Sequence, residues 1–277
     1  MQALQRAIQV QVQRLVGGGE TSSDLLRGGA PFVSPDAVCR EVHRDFTTML
    51  VGGISGLLLQ MLHPGALAGV WDHSEFRKDM SGRLRRTAEF ISVTTYGSAA
   101  DADAMIGRVR RIHDHVHGTL PDGTPYSAND PDLLTWVHVA GAASFLAAYL
   151  RYRNPGMRGA DQDRYYAETA ITAERLGAAE LPRSRRAVAL YLESVRPNLL
   201  FDHRTADVAR AILGQPAPSL ALVPYRELVT RASIDLLPPW AARMHGLSVP
   251  QHQRPAVRAG LRSVAAVTRW ALESNAA

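Results

Sequence analysis

Ser98-Ala99-Ala100-Asp101-Ala102-Asp103-Ala104-Met105-Ile106-Gly107-Arg108-Val109-Arg110-Arg111-Ile112-His113 decides the fold class. Ala102, Met105, Val109, Ile112 and then Val116 recur at steps of three and four residues, which is one face of an α-helix. Ser98 with Asp101 three residues on reads as the capping pattern that opens it. The same periodicity continues outward in both directions, with helices expected near residues 2–16, 35–50, 53–62, 74–96, 130–150, 161–176, 182–195, 205–213, 225–236, 239–245 and 254–273. Strand alternation is almost absent. Gly17-Gly18-Gly19, His63-Pro64, Gly97, Gly118 and Pro121-Asp122-Gly123 punctuate the pattern, and Ser34-Pro35-Asp36 and Asp130-Pro131 are helix starts. The helix after Asp130 is apolar on nearly every side, so it belongs at the centre. The expectation is all-α: a single multi-helix domain enclosing a cofactor pocket over residues 35–277, preceded by an N-terminal helix and loop over 1–34.

A chain of 277 residues, 46% hydrophobic and 21% charged, has the composition of a globular domain with a large core. The net charge of +5 is almost all arginine, Lys78 being the sole lysine. These arginines alternate with acids along helix faces, and no zinc-knuckle or RNA-binding signature accompanies them, so nucleic acid is not an expected partner. The lone Cys39 excludes an intrachain disulfide, a cysteine zinc cage and a cysteine-held iron–sulfur cluster. The first residues lack the pattern of a signal peptide. The longest apolar runs, residues 49–62 and 137–150, fall short of the roughly 18–20 residues of a spanning helix. No membrane span and a cytoplasmic location are therefore expected.

Residues 60–138 concentrate arginine, threonine and histidine on apolar helices. Arg83 and Thr87, four apart, share one helix face, and Arg110 and His113, three apart, share another. His113 sits at the edge of the apolar stripe, His115 points away to water, and His117 lies one turn below His113. His113 and His117 have zincin spacing, but Asp114 stands where a zinc hydrolase needs glutamate. By itself His113 reads equally as a satisfied core histidine. With Arg83 and Thr87 near it, an imidazole opposite a guanidinium and a hydroxyl also suits a bound haem: the ring nitrogen for iron, the guanidinium for a propionate or for dioxygen. His63 closes a helix and either caps its last carbonyls or joins the site. Trp136 and His138 are core filling or pocket wall, and Ser74 is a plausible N-cap. Met61, Met80 and Met105 read as packing residues. No nucleophile elbow and no nucleotide-binding glycine loop is present.

Taken in order, several segments resemble one family, that of the MpaB/rubber-oxygenase catalytic domain, which includes the latex-clearing proteins. They are Leu59-Gln60-Met61-Leu62-His63-Pro64, Gly69-Val70-Trp71-Asp72-His73-Ser74, Arg83-Leu84-Arg85-Arg86-Thr87, Val109-Arg110-Arg111-Ile112-His113, Pro125-Tyr126, Asp130-Pro131 and Trp136-Val137-His138, with a weaker echo at Leu236-Leu237-Pro238-Pro239-Trp240. The resemblance runs over about residues 35–247 and implies an all-helical fold holding haem b without a covalent link. It makes His113 the proximal iron ligand and Arg83 and Thr87 the distal, catalytic pair. Arg110, Arg86, His138, Trp136 and His63 become further cofactor-binding candidates. It implies a haem-dependent oxidoreductase using dioxygen on a small, largely apolar organic substrate. One position departs from the pattern: where rubber-cleaving relatives can carry lysine before the threonine, this chain has Arg86. The contrasting expectation is a non-enzymatic helical protein that binds an acidic ligand or senses haem.

Overall fold

Two glycines fix the centre of the molecule. In the computed structural model, which describes Arg6 and residues 29–273, helix α2 (Phe46–Gln60) crosses helix α6 (Pro131–Tyr152) at close range. A Cβ on Gly52 would lie 2.9 Å from both the Phe145 Cα and the Ser144 carbonyl oxygen, and one on Gly56 would lie 3.4 Å from the Gly141 Cα. Small residues on both helices allow this approach, and the remaining helices surround the pair.

The described residues form twelve α-helices and one short hairpin. Helix α1 (Val38–Arg44) precedes α2; α3 (Pro64–His73) follows it after a bend of 102°. Then come α4 (Met80–Tyr96), α5 (Ala99–His113), strands β1 (His117–Thr119) and β2 (Pro125–Ser127), and the central α6. Helices α7 (Gly159–Leu176) and α8 (Arg185–Val195) cover one side of α6, and α9 (His203–Leu213) covers α2 and α3. Helix α10 (Val223–Leu236), short α11 (Pro239–Met244) and α12 (Arg254–Glu273) complete the chain, α10 and α12 packing on each other and on α2. Asp45 caps α2 by accepting from the Thr48 amide at 3.0 Å and pairs with Arg269 of α12 at 2.7 Å, so one buried carboxylate ties α12 to the start of α2.

The all-α architecture follows the periodicity, with informative differences. The break expected between residues 50 and 53 falls instead at Asp45, because Gly52 serves helix contact and not termination. Residues 64–73 are helical, since Pro64 takes the first helical position and His63 caps it. Ser74 ends that helix, and Asp79 caps α4. The expected stripe on α5 is only partly covered: Ala102 is buried, but Ile112 is 53% exposed. Helix α6 is 22 residues long and, contrary to the expectation from shorter apolar runs, long and apolar enough to cross a bilayer on length and composition; here protein covers most of it. The helix expected over residues 2–16 lies outside the described residues apart from Arg6.

Candidate functional site

Helices α4 and α5 pack as an antiparallel pair joined at Gly97-Ser98, so the first turns of α4 lie beside the last turns of α5. Ser98 sets the turn, its Oγ accepting from the Asp101 amide at 3.1 Å. The arrangement brings Arg83 to His113. Burial is the main force lowering the His113 imidazole's pKa; the Arg83 guanidinium adds to it, and Asn129 and Asp114 oppose it. Nδ1 of His113 is buried without a hydrogen-bond partner. The Arg83 side chain has neither a hydrogen bond nor an ion pair among the described residues, and burial, reinforced by neighbouring Arg86, pulls its own pKa down. A desolvated ion costs roughly several kcal/mol unless something compensates it. Arg83 therefore stands as a half-buried cation in want of an anion.

The rest of α4 leaves room there. Met80 and Leu84 touch the central core at one end, and Thr95 and Tyr96 bond to His43 and to the Arg40 carbonyl at the other. Between those anchors neither helix of the central pair packs along α4, whose main neighbours are α1 and α5. Phe90 and Ile91 are only half-buried, and Thr87 and Glu89 are exposed. Thr87 donates its hydroxyl to the Arg83 carbonyl at 3.1 Å.

The other sequence candidates separate into different places. Arg110 is exposed and its guanidinium is unpartnered among the described residues. Arg86 turns outward to Asp79 at 3.5 Å. His138 lies beside His43, which bonds to Thr95 near the end of α4, about three helical turns from Arg83; both imidazoles are driven down to about 4 by burial. Two assignments are corrected. Trp136 is 1% exposed and donates its indole N–H to the Gln60 carbonyl at 3.1 Å, so it fills the core and lines nothing. His63 Nδ1 accepts from the Gly65 amide at 3.1 Å, which makes it the N-cap of α3 and not a cap on the helix before. His117 belongs to β1, because α5 ends at His113, so the two never share a helix face.

A scan against protein families finds a match to "ER-bound oxygenase mpaB/B'/Rubber oxygenase, catalytic domain" over residues 40–270. The chain belongs to this family. Neither the curated proteins nor the solved structures gave a match. The mpaB/rubber-oxygenase match takes in every site residue from His63 to His138, and it identifies the helical unit as an oxygenase catalytic domain.

Within that domain, no three His, Cys, Asp or Glu side chains among the described residues converge as a metal-holding set. A group that brings its own ring nitrogens needs only one protein ligand, and the His113 imidazole beside its unpaired arginine fits such a group. Two surface clefts, of about 670 and 910 Å³, lie elsewhere; the first is walled by Trp240 and Arg196, the second by α1 and the start of α7. The second reaches His43, and neither contains His113 or Arg83. The pair between α4 and α5 carries the electrostatic anomaly, so it outranks both clefts as the seat of chemistry. Sequence reasoning missed His43 and Asn129. His43 gave no signal because it is one of several polar residues in α1, beside Arg40, Glu41 and Arg44, and nothing in the order of residues ties Asn129 to a helix that ended earlier.

Proposed function

We propose that this mpaB/rubber-oxygenase domain is a haem b-dependent oxygenase that uses dioxygen on a small, largely apolar organic substrate. The observation that carries the reading is the pairing of a half-buried, partnerless Arg83 with a His113 imidazole whose Nε2 makes no hydrogen bond among the described residues. An unpaired, half-buried cation calls for negative charge, and a solitary imidazole calls for a metal that arrives with its other ligands. Haem b would meet the second demand with its own ring nitrogens, and the first with the negative charge that develops when dioxygen reacts beside Arg83.

When bound, haem supplies an iron centre that activates dioxygen. His113 contributes a neutral ring nitrogen, and the downward pressure on its pKa keeps that nitrogen unprotonated near neutral pH. Arg83 remains a cation in any case, and a fixed guanidinium in a dry site stabilises negative charge that develops beside it. The Thr87 hydroxyl, now spent on its own helix, is a second donor on the same face. Arg110, exposed and unpaired, is available to a carboxylate at the rim. Half-buried Phe90 and Ile91 and exposed Ile112 offer apolar surface that protein does not cover.

The test is to incubate haem-loaded protein with a panel of apolar alkenes under ¹⁸O-labelled dioxygen and follow products by mass spectrometry. Label incorporated into a product supports the oxygenase. Stable haem with no oxygen uptake on any substrate would favour a haem-sensing role instead.

A further inference from the structure

The hairpin after α5 has a use beyond connecting two helices. Gly118 pairs with Tyr126 and His117 with Ser127, and the ladder runs one step further, the Ala128 amide donating to the Val116 carbonyl at 2.8 Å. That register delivers Asn129 to the end of α5. Its Nδ2 donates to the Asp114 carboxylate at 2.7 Å and reaches the Arg110 carbonyl at 3.5 Å, so the amide straddles the residues on either side of His113. Both of those partners are acceptors only, which fixes the amide's orientation: Nδ2 faces them, and Oδ1 points the other way. Oδ1 is buried and has no donor. The Nδ1 of His113 is buried and has no partner either. One is an acceptor lacking a donor; the other is a donor in one of the two neutral imidazole tautomers. The Asn129 amide also lies close enough to the His113 ring to interact with it.

We infer that Asn129 is the positioning residue of His113: its Oδ1 accepts the Nδ1 proton, which holds the ring in one tautomer and turns the Nε2 lone pair toward the ligand. Asp114 positions Asn129 in turn. The inference rests on the reading of His113 as the haem-holding imidazole. Its geometry is that of the outer-shell acceptors that orient metal-bound histidines, whose loss costs about 10- to 100-fold in metal affinity.

Two readouts on Asn129→Leu test it, one with haem and one without. In the haem-loaded protein, the variant should weaken haem affinity by about 10- to 100-fold and lower the iron–histidine stretching frequency in the ferrous resonance Raman spectrum. Asp114→Ala, which leaves Oδ1 in place but unanchored, should shift the same band less. In the haem-free protein, ¹⁵N NMR of the ring nitrogens should find His113 as the Nδ1–H tautomer in the wild type and shifted toward Nε2–H in Asn129→Leu. An unchanged band and unchanged affinity in a variant that still needs His113 for haem would overturn the inference and leave the proposed function standing. Failure of the wild type to take up haem would sink that function, while an Nδ1–H tautomer that depends on Asn129 would still uphold the pairing. An Nε2–H tautomer in the wild type would overturn it.

Discussion

Arg83 is destabilising where it sits unless something occupies the space beside it, and that makes it the residue with the clearest functional signature. Arg83→Ala should lower turnover by about 10²–10³, the usual cost of one preorganised donor, while haem content stays near wild type; unchanged steady-state rates would remove it from the oxygen side. Arg86 makes the opposite case. It is exposed, pairs with Asp79, and as a guanidinium has no lone pair to offer iron. The resting ferric protein should therefore give an electron paramagnetic resonance signal without the low-spin signature of iron between two protein nitrogens. A dominant signal of that kind would mean that a histidine closes the distal side. The spacing of Arg83 and Thr87 and the position of His113 at a stripe edge were legible in sequence, because helical geometry alone determines them. Asn129 was not, because it reaches Asp114 only through the register of a hairpin whose strands are three residues each. Trp136 was ambiguous for a different reason: an indole on an all-apolar helix looks the same in a core and in a pocket wall.

The helices themselves were largely readable, and their boundaries failed where a residue type has two uses. A break was expected between residues 50 and 53, yet α2 runs through it, and Gly52 is there so that α2 and α6 can touch backbone to backbone. Proline after His63 was read as a stop, and it is a start. The two adjacent glycines give a direct test. Gly52→Ala puts a methyl 2.9 Å from backbone atoms of Phe145 and Ser144, which cannot give way as a side chain does. It should destabilise the fold by about 1–3 kcal/mol, read as a lower urea midpoint. At Gly53 the added methyl meets only the Phe145 ring at 3.6 Å, an ordinary contact. Gly53→Ala should therefore be neutral or stabilising by up to about 1 kcal/mol, since alanine is the better helix former. Equal losses at both positions would show that the helix crossing is looser than described.

Stability of the whole molecule should depend on pH through His43 and His138. Both are held neutral, with pKa values pushed down to about 4 from 6.5 by burial, His138 also acting on His43. His43 bonds to Thr95 and Tyr165 at 2.9 and 3.2 Å, so it links α1, α4 and α7. Below about pH 6.5 the unfolded chain takes up protons that these rings refuse until about pH 4, so stability is full above that window and falls as pH drops through it. Each ring contributes up to roughly 3 kcal/mol of this loss. Thermal melts from pH 7 to 4 should show it, and His138→Gln should flatten the slope; an identical slope in the variant would refute the assignment. Whether the molecule is a haem protein is decided by hemin titration of the wild type and of His113→Ala, followed by absorption, with circular dichroism to check helix content. The wild type should take up one tightly held haem with a Soret band, and His113→Ala should lose it at unchanged helicity. Full haem retention and an unchanged spectrum in His113→Ala would contradict that.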